Sequence, residues 1–195
     1  MVRLLLIVLC LYGAWSYWQG RAIDHPPGVL VATKPVQAEL SGKSVPFQKE
    51  DYTLTPLARF EIEARVLARE NYRFDRGADL SPVDLALGWG PMSDSAVLDT
   101  IDISQRGRFY YWSTDRFRIP RRVIETHSAN MHLIPADGVI ENQLDRVRPG
   151  HLVRLQGYLV EARANDGFRW RSSLTRDDTG NGACELIWVE QIEFY

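Results

Sequence analysis

A chain of 195 residues with 45% hydrophobic and 25% charged residues has an ordinary globular composition, sized for one domain once its apolar start is set aside. Its net charge of −2 excludes the strongly basic balance of a polyanion-binding protein. Such a domain buries about two-thirds of its unfolded surface and needs neither disulfide nor metal to fold. Lys34, Lys43 and Lys49 are the only lysines among 23 basic residues, which leaves 20 arginines. That bias fits bidentate contacts to carboxylate or phosphate, and equally a genome-level composition effect.

Residues 4–18 are almost wholly apolar, interrupted by Gly13 and Ser16, with Arg3 before them and Arg21 after. Fifteen helical residues span ~22 Å, short of the ~30 Å hydrocarbon core. Tyr12, Trp15, Tyr17 and Trp18 extend the segment into the headgroup interface that amphipathic rings favour. The expectation is a single-pass transmembrane signal-anchor over residues 1–20. A cleaved signal peptide competes with it, because Ala14 and Ser16 offer a small-x-small site. The amino terminus and Arg3 lie on one side while Arg21 and Asp24 cancel on the other. The positive-inside rule then favours an inner-membrane protein whose domain faces the periplasm.

Residues 21–50, with Pro26-Pro27 and Pro35, are expected to form a spacer and an extended edge segment, and residues 51–195 a single β-rich extracytoplasmic domain. Arg59-Phe60-Glu61-Ile62-Glu63-Ala64-Arg65-Val66 alternates strictly, which predicts a half-buried strand with its four charges outward. Ser81-Pro82-Val83-Asp84 carries the elements of a capping box and predicts a short helix ended at Gly88. Residues 93–101 predict a second short helical turn. Gln105-Arg106-Gly107-Arg108 predicts the turn of a hairpin between residues 101–103 and 109–112. Short helices are expected over 120–126 and 139–147. From Pro149-Gly150 the chain reads as a long strand through Glu161, with Gly157 marking a bend or bulge. Asn165-Asp166-Gly167 turns into residues 168–171, residues 175–182 form a loop, and residues 185–195 are a last strand. Cys10 lies in the apolar start, too far from Cys184 for a disulfide within the domain, and Cys184 reads as a small buried hydrophobe.

The expected fold class is therefore mainly β, with α+β as the alternative: a small curved sheet or barrel with short helices behind one transmembrane helix. Over about forty residues, Pro149-Gly150 followed by Val153, Leu155 and Gly157 resembles the entry strand of OB-like barrels. The chain as a whole is similar to uncharacterised membrane-anchored bacterial proteins, a likeness that implies no activity.

Trp89, between Gly88 and Gly90, reads either as a binding lip or as an indole folded over the core. Arg118 and Arg121, with Arg116, Arg122 and Phe117, read as a binding patch or as a solvated face; no nucleic acid is expected outside the cytoplasm. His127 and His132, followed by Asp137, are the closely spaced imidazole–carboxylate set, and N and O ligands of this kind suit zinc or non-haem iron. Five residues apart, the rings diverge in a strand or a helix, so only a loop brings them to one metal. A polar structural loop with hydrogen-bonded imidazoles is expected instead. Asp177 and Asp178 fail the calcium-loop pattern, since Thr179 and Trp188 occupy ligand positions. No G-x-S-x-G, H-E-x-x-H, Walker A, Rossmann or C-x-x-C motif is present. Two readings follow. One is a membrane-anchored binding or assembly module for a protein or other ligand, with no metal or cofactor. The other is a small metal-assisted hydrolase using residues 127–137 and 176–185, with His127, His132, Asp177 and Asp178 as catalytic candidates.

Overall fold

The computed structural model describes residues 21–175 and 184–195, together with the single position 13. The expected anchor lies outside the described residues; among those described, no helix is long and apolar enough to cross a membrane. The strands are β1 (Val36–Ala38), β2 (Phe47–Lys49), β3 (Tyr52–Asn71), β4 (Val83–Gly88), β5 (Asp102–Arg106), β6 (Phe109–Ser113), β7 (Ser128–Pro135), β8 (Leu152–Ala164), β9 (Arg169–Arg171) and β10 (Glu185–Phe194). Three short helices, α1 (Ser95–Leu98), α2 (Arg121–Thr126) and α3 (Gly138–Leu144), connect them, and a 3-10 turn covers Gly90–Ser93. The described chain is thus mainly β.

The strands run β3-β4-β7-β10-β8, and β8 pairs again with β3, so the sheet curves round until its ends meet. Every pairing in that ring is antiparallel except β7 with β10. The interior is filled by one face of each strand, including Phe60, Ile62, Leu85, Leu133, Leu155 and Ile187. This is the alternation read from residues 59–66, now within a strand of 20 residues.

Three bulges let straight alternation become a curve. Leu57 is the extra residue against β8, Leu67 against β4, and Glu190 of β10 against β8. Each bulge also reverses which face a residue parity serves. Before Leu57, Tyr52 and Leu54 pack in a second cluster with Ile134, Val160 and Leu186; after it, Phe60 and Ile62 enter the ring. Gly157 lies opposite the last bulge. A Cβ at that position would stand 1.8 Å from the Trp188 carbonyl oxygen, so only glycine fits.

Two expectations outside the 127–137 segment need correction. Ser81-Pro82-Val83-Asp84 does not open a helix: residues 83–88 are β4, buried throughout. The capping pattern is local, whereas Val83, Leu85 and Leu87 on one face and Asp84 on the other each gain a buried partner in a central strand. Arg65 was expected outward with its neighbours, yet it is buried. The segment 93–95 folds over it, and its Nη1 donates to the Ser93 carbonyl at 3.2 Å and to Ser95 Oγ at 2.8 Å.

Ile62→Asp or Leu155→Asp places an unpaired carboxylate inside the ring and is expected to cost more than about 4 kcal/mol in denaturant unfolding. Gly157→Ala, which only adds a methyl, is expected to cost about 3 kcal/mol through the clash with Trp188. Glu61→Lys on the exposed face is expected to change stability by less than about 0.5 kcal/mol.

Candidate functional site

β4 and β7 are covered on both faces. Their inner residues belong to the ring, and their outer residues include the polar Asp84, Ser128, Asn130 and His132 beside Ala86 and Ile134. Register sets Asp84 directly opposite His132, and Asn130 opposite Ala86. Both members of the pair are buried, Asp84 completely. Asp84 Oδ2 lies 2.8 Å from His132 Nδ1, an ion-pair distance without the alignment of a regular hydrogen bond.

Arg108 closes over this pair from the tip of the β5–β6 hairpin. Gly107 and Arg108 both have positive φ, 60° and 71°, the signature of a tight two-residue turn, and this aims the guanidinium back at the sheet. Nη1 donates to Asp84 Oδ1 at 2.9 Å and to the Ser81 carbonyl at 2.8 Å, and Nη2 donates to Asp75 Oδ1 at 2.8 Å. The guanidinium carbon sits 3.7 Å from the Tyr72 ring centre and 5.4 Å from that of Trp170. The Arg108 amide donates to Tyr72 Oη, and Asn130 Nδ2 donates to the Arg108 carbonyl. Burial pushes the Tyr72 phenol up to about 12, so it stays protonated.

A cavity of about 430 Å3 opens beside this group. Asp75, Arg76 and Gly77 contribute from the β3–β4 connection, Arg108 and Phe109 from the hairpin, and His132 from β7. Phe168, Trp170, Arg171 and Cys184 complete the wall from the segment between β8 and β10. The Trp170 ring centre is 4.6 Å from that of His132. Its approach depends on Gly77, where a Cβ would come within 2.8 Å of the indole. Behind the wall, Glu161 accepts from Arg169 Nη2 at 2.9 Å and Arg171 Nη1 at 2.8 Å, and from Arg163 Nε. Arg169 first, then Arg171, hold the Glu161 carboxyl down at about 2. Three guanidiniums thus converge on one carboxylate, and of the three only Arg171 also lines the cavity.

The residues predicted to form a site are not brought together. In place of the polar loop expected around His127 and His132, the chain forms strand β7 from Ser128 on, with His127 ahead of it at the end of α2. His127 caps the end of α2, with Nδ1 3.0 Å from the Val123 carbonyl oxygen and 3.1 Å from Thr126 Oγ1. Five strand residues, ~16 Å, separate it from His132. Asp137 caps α3 by accepting from the Val139 and Ile140 amides. Among the described residues no three His, Cys, Asp or Glu side chains are grouped to hold a metal ion. Asp177 and Asp178 lie outside the described residues. Trp89 is buried in the ring core and offers no exposed indole. Arg118 is exposed, and Arg121 pairs with Glu125 at 2.8 Å while lying over Trp112.

Asp84, Arg108 and Trp170 were missed. The available signal was the alternation Asn130-Met131-His132-Leu133, matched by Val83-Asp84-Leu85: polar residues at regular outer positions of strands too apolar to be edges. Comparison with protein families, curated proteins and solved structures finds no match for this chain.

Asp84→Ala strands Arg108 and His132 in a buried setting and is expected to cost about 3–5 kcal/mol in unfolding free energy. Glu161 gives a pH test. Its folded pKa is depressed, so its contribution is complete above the unfolded value of 4.5 and is lost as pH falls towards about 2. The melting-temperature gap between the wild type and Glu161→Gln should therefore be constant above pH 4.5 and close between there and about 2.

Proposed function

We propose that this chain is a membrane-anchored extracytoplasmic binding module, built on an OB-like barrel, that takes a small anionic, ring-bearing ligand in the cavity beside His132 and Arg108. Numbered in chain order, the ring strands β3, β4, β7, β8 and β10 are strands one to five, and round the ring they run 1-2-3-5-4-1 with strands three and five parallel. That is the order of an OB barrel, and α3 falls between strands three and four.

The observation that carries the ligand site is the origin of the cavity wall. OB barrels bind oligosaccharides and oligonucleotides on strands two and three and on the loops joining strands one to two and four to five. Here those parts correspond to β4, β7, residues 72–82 and residues 165–184. The cavity lining comes from three of them, and Arg108 and Phe109 reach in from the hairpin inserted between strands two and three. Phe168 and Trp170 supply faces for stacking, while Arg76, Arg108 and Arg171, each of which also holds a carboxylate of the fold, bring guanidinium N–H groups to the wall for a ligand carboxylate or phosphate. An acidic saccharide satisfies both requirements, and it is a ligand class met outside the cytoplasm.

The anchor is supported by the apolar run of residues 4–18 and its aromatic rim, and the outward domain by the charge balance around it. Full-length protein is expected to remain with bacterial membranes through carbonate washing; a soluble periplasmic product beginning near Tyr17 would overturn the anchor. For the ligand, the barrel is titrated by NMR with hexuronate oligosaccharides, their neutral counterparts and nucleoside monophosphates. Acidic sugars are expected to shift the Trp170 indole resonance, and Trp170→Ala to weaken binding roughly tenfold. Shifts confined to other residues would sink the assignment.

A further inference from the structure

A second cavity, of about 600 Å3, shares no lining residue with the first. Its wall contains Arg69, Arg146, Arg148 and His151, and the single carboxylate of Asp145. Asp145 is already engaged, accepting from Arg69 Nη2 at 3.2 Å. Arg69 Nε is buried with no acceptor. The Arg146 guanidinium lies 5.6 Å from the Phe194 ring centre and has no carboxylate partner among the described residues. His151 Nδ1 accepts from the Arg148 amide at 3.1 Å, which leaves the proton of the neutral ring on Nε2 as a further donor. The Arg146 guanidinium, Arg69 Nε and the His151 imidazole N–H, with one carboxylate already spoken for, are the kind of donor set that phosphate oxygens require.

The position of this cavity in the chain gives the occupant. The Ile23 amide donates to the Pro149 carbonyl at 2.9 Å, and His25 Nε2 lies 2.7 Å from the Gly150 carbonyl oxygen. Gly150 has φ 91°, and a Cβ there would stand 2.2 Å from the Ile23 carbonyl oxygen, so the two backbones are in direct contact. The N-terminal segment is thus pinned to the 148–151 turn that forms one wall. Trp18, the last residue of the apolar run, precedes Ile23 by five residues, at most ~17 Å of chain. A headgroup layer is roughly 6 Å deep on each side of a bilayer.

We propose that this cavity holds the phosphodiester headgroup of an anionic phospholipid from the leaflet in which the chain is anchored; the proposal rests on the anchor reading given above. The anchor presents the cavity to the headgroups, and the bound headgroup fixes the orientation of the barrel on the membrane.

Full-length protein in nanodiscs of phosphatidylcholine, with and without phosphatidylglycerol, is released into the mass spectrometer under native conditions, and retained lipids are counted. Phosphatidylglycerol is expected to be retained about tenfold over phosphatidylcholine. Arg146 is exposed, so Arg146→Glu should fold, and it is expected to reduce that preference roughly tenfold while the chain stays in carbonate-washed membranes. Equal retention of the two lipids, or an unchanged preference in Arg146→Glu, overturns the proposal. Inorganic phosphate that displaces phosphatidylglycerol and protects the 146–151 amides from exchange without lipid overturns it in favour of a soluble anion. A chain that washes out with carbonate yet keeps phosphatidylglycerol would lose the anchor and keep the site; one that stays without preference would lose the site and keep the anchor.

Discussion

The pairing of β3 with both β4 and β8 is the constraint on which the rest of the molecule depends. A strand of 20 residues would run about 65 Å if straight, far beyond a domain of this size. It must bend, and it bends where an extra residue is inserted, at Leu57 and Leu67. Between the bulges it lines the ring with Ala58, Phe60, Ile62, Ala64 and Val66, and before them it lines the outer cluster with Tyr52 and Leu54. One strand thus serves two cores. In β10 the bulge at Glu190 instead keeps the strand on the ring, with Ile187 and Val189 before it and Ile192 after it, and Gly157 makes room for it.

Because the ring consumes the inner face of β4 and β7, whatever their outer face carries must be covered by something else. The β5–β6 hairpin, the β3–β4 connection and β9 supply that cover, and the chain places Arg108, Tyr72 and Trp170 on them. The candidate site is a product of this second layer: the ring supplies Asp84 and His132 at fixed register, and the insertions supply the groups that close over them.

Legibility in the sequence followed the range of the interactions. Period-two alternation at residues 60–66 and 153–159 showed where the ring strands run, because each alternate residue meets the same interior. Gly157, the hairpin turn at Gly107 and the short helices at 120–126 and 139–147 were also legible, since their causes are local. β4 was not. Ser81, Pro82 and Asp84 satisfy the local rule for a helix start, and only the flanking strands β3 and β7 decide otherwise. The same holds for His132. In isolation, His-Ser-Ala-Asn-Met-His looks like a polar loop, and its polarity makes sense only once Asp84 and Arg108, 48 and 24 residues earlier, stand against it. Arg65 shows the converse, an alternation correct in period whose outer face a distant segment covers.

The buried Asp84–Arg108–His132 group is not what the fold needs to stand. Desolvating three ionisable side chains opposes folding, and well-packed apolar residues of similar volume commonly stabilise as much or more. The same sheet already contains that solution: Ile134, two residues along β7 from His132, and Leu186, opposite His132 on β10, fill outer positions as plain hydrophobes. A chain that places a carboxylate there, spans it with a guanidinium held in a strained turn, and packs a tilted indole against the adjacent imidazole has accepted a cost at this point. That point is the wall of a cavity. Strain and buried charge that converge on a cavity have no counterpart requirement in the packing of the ring, and they are what the binding reading proposed above would require of a wall that orients a ligand.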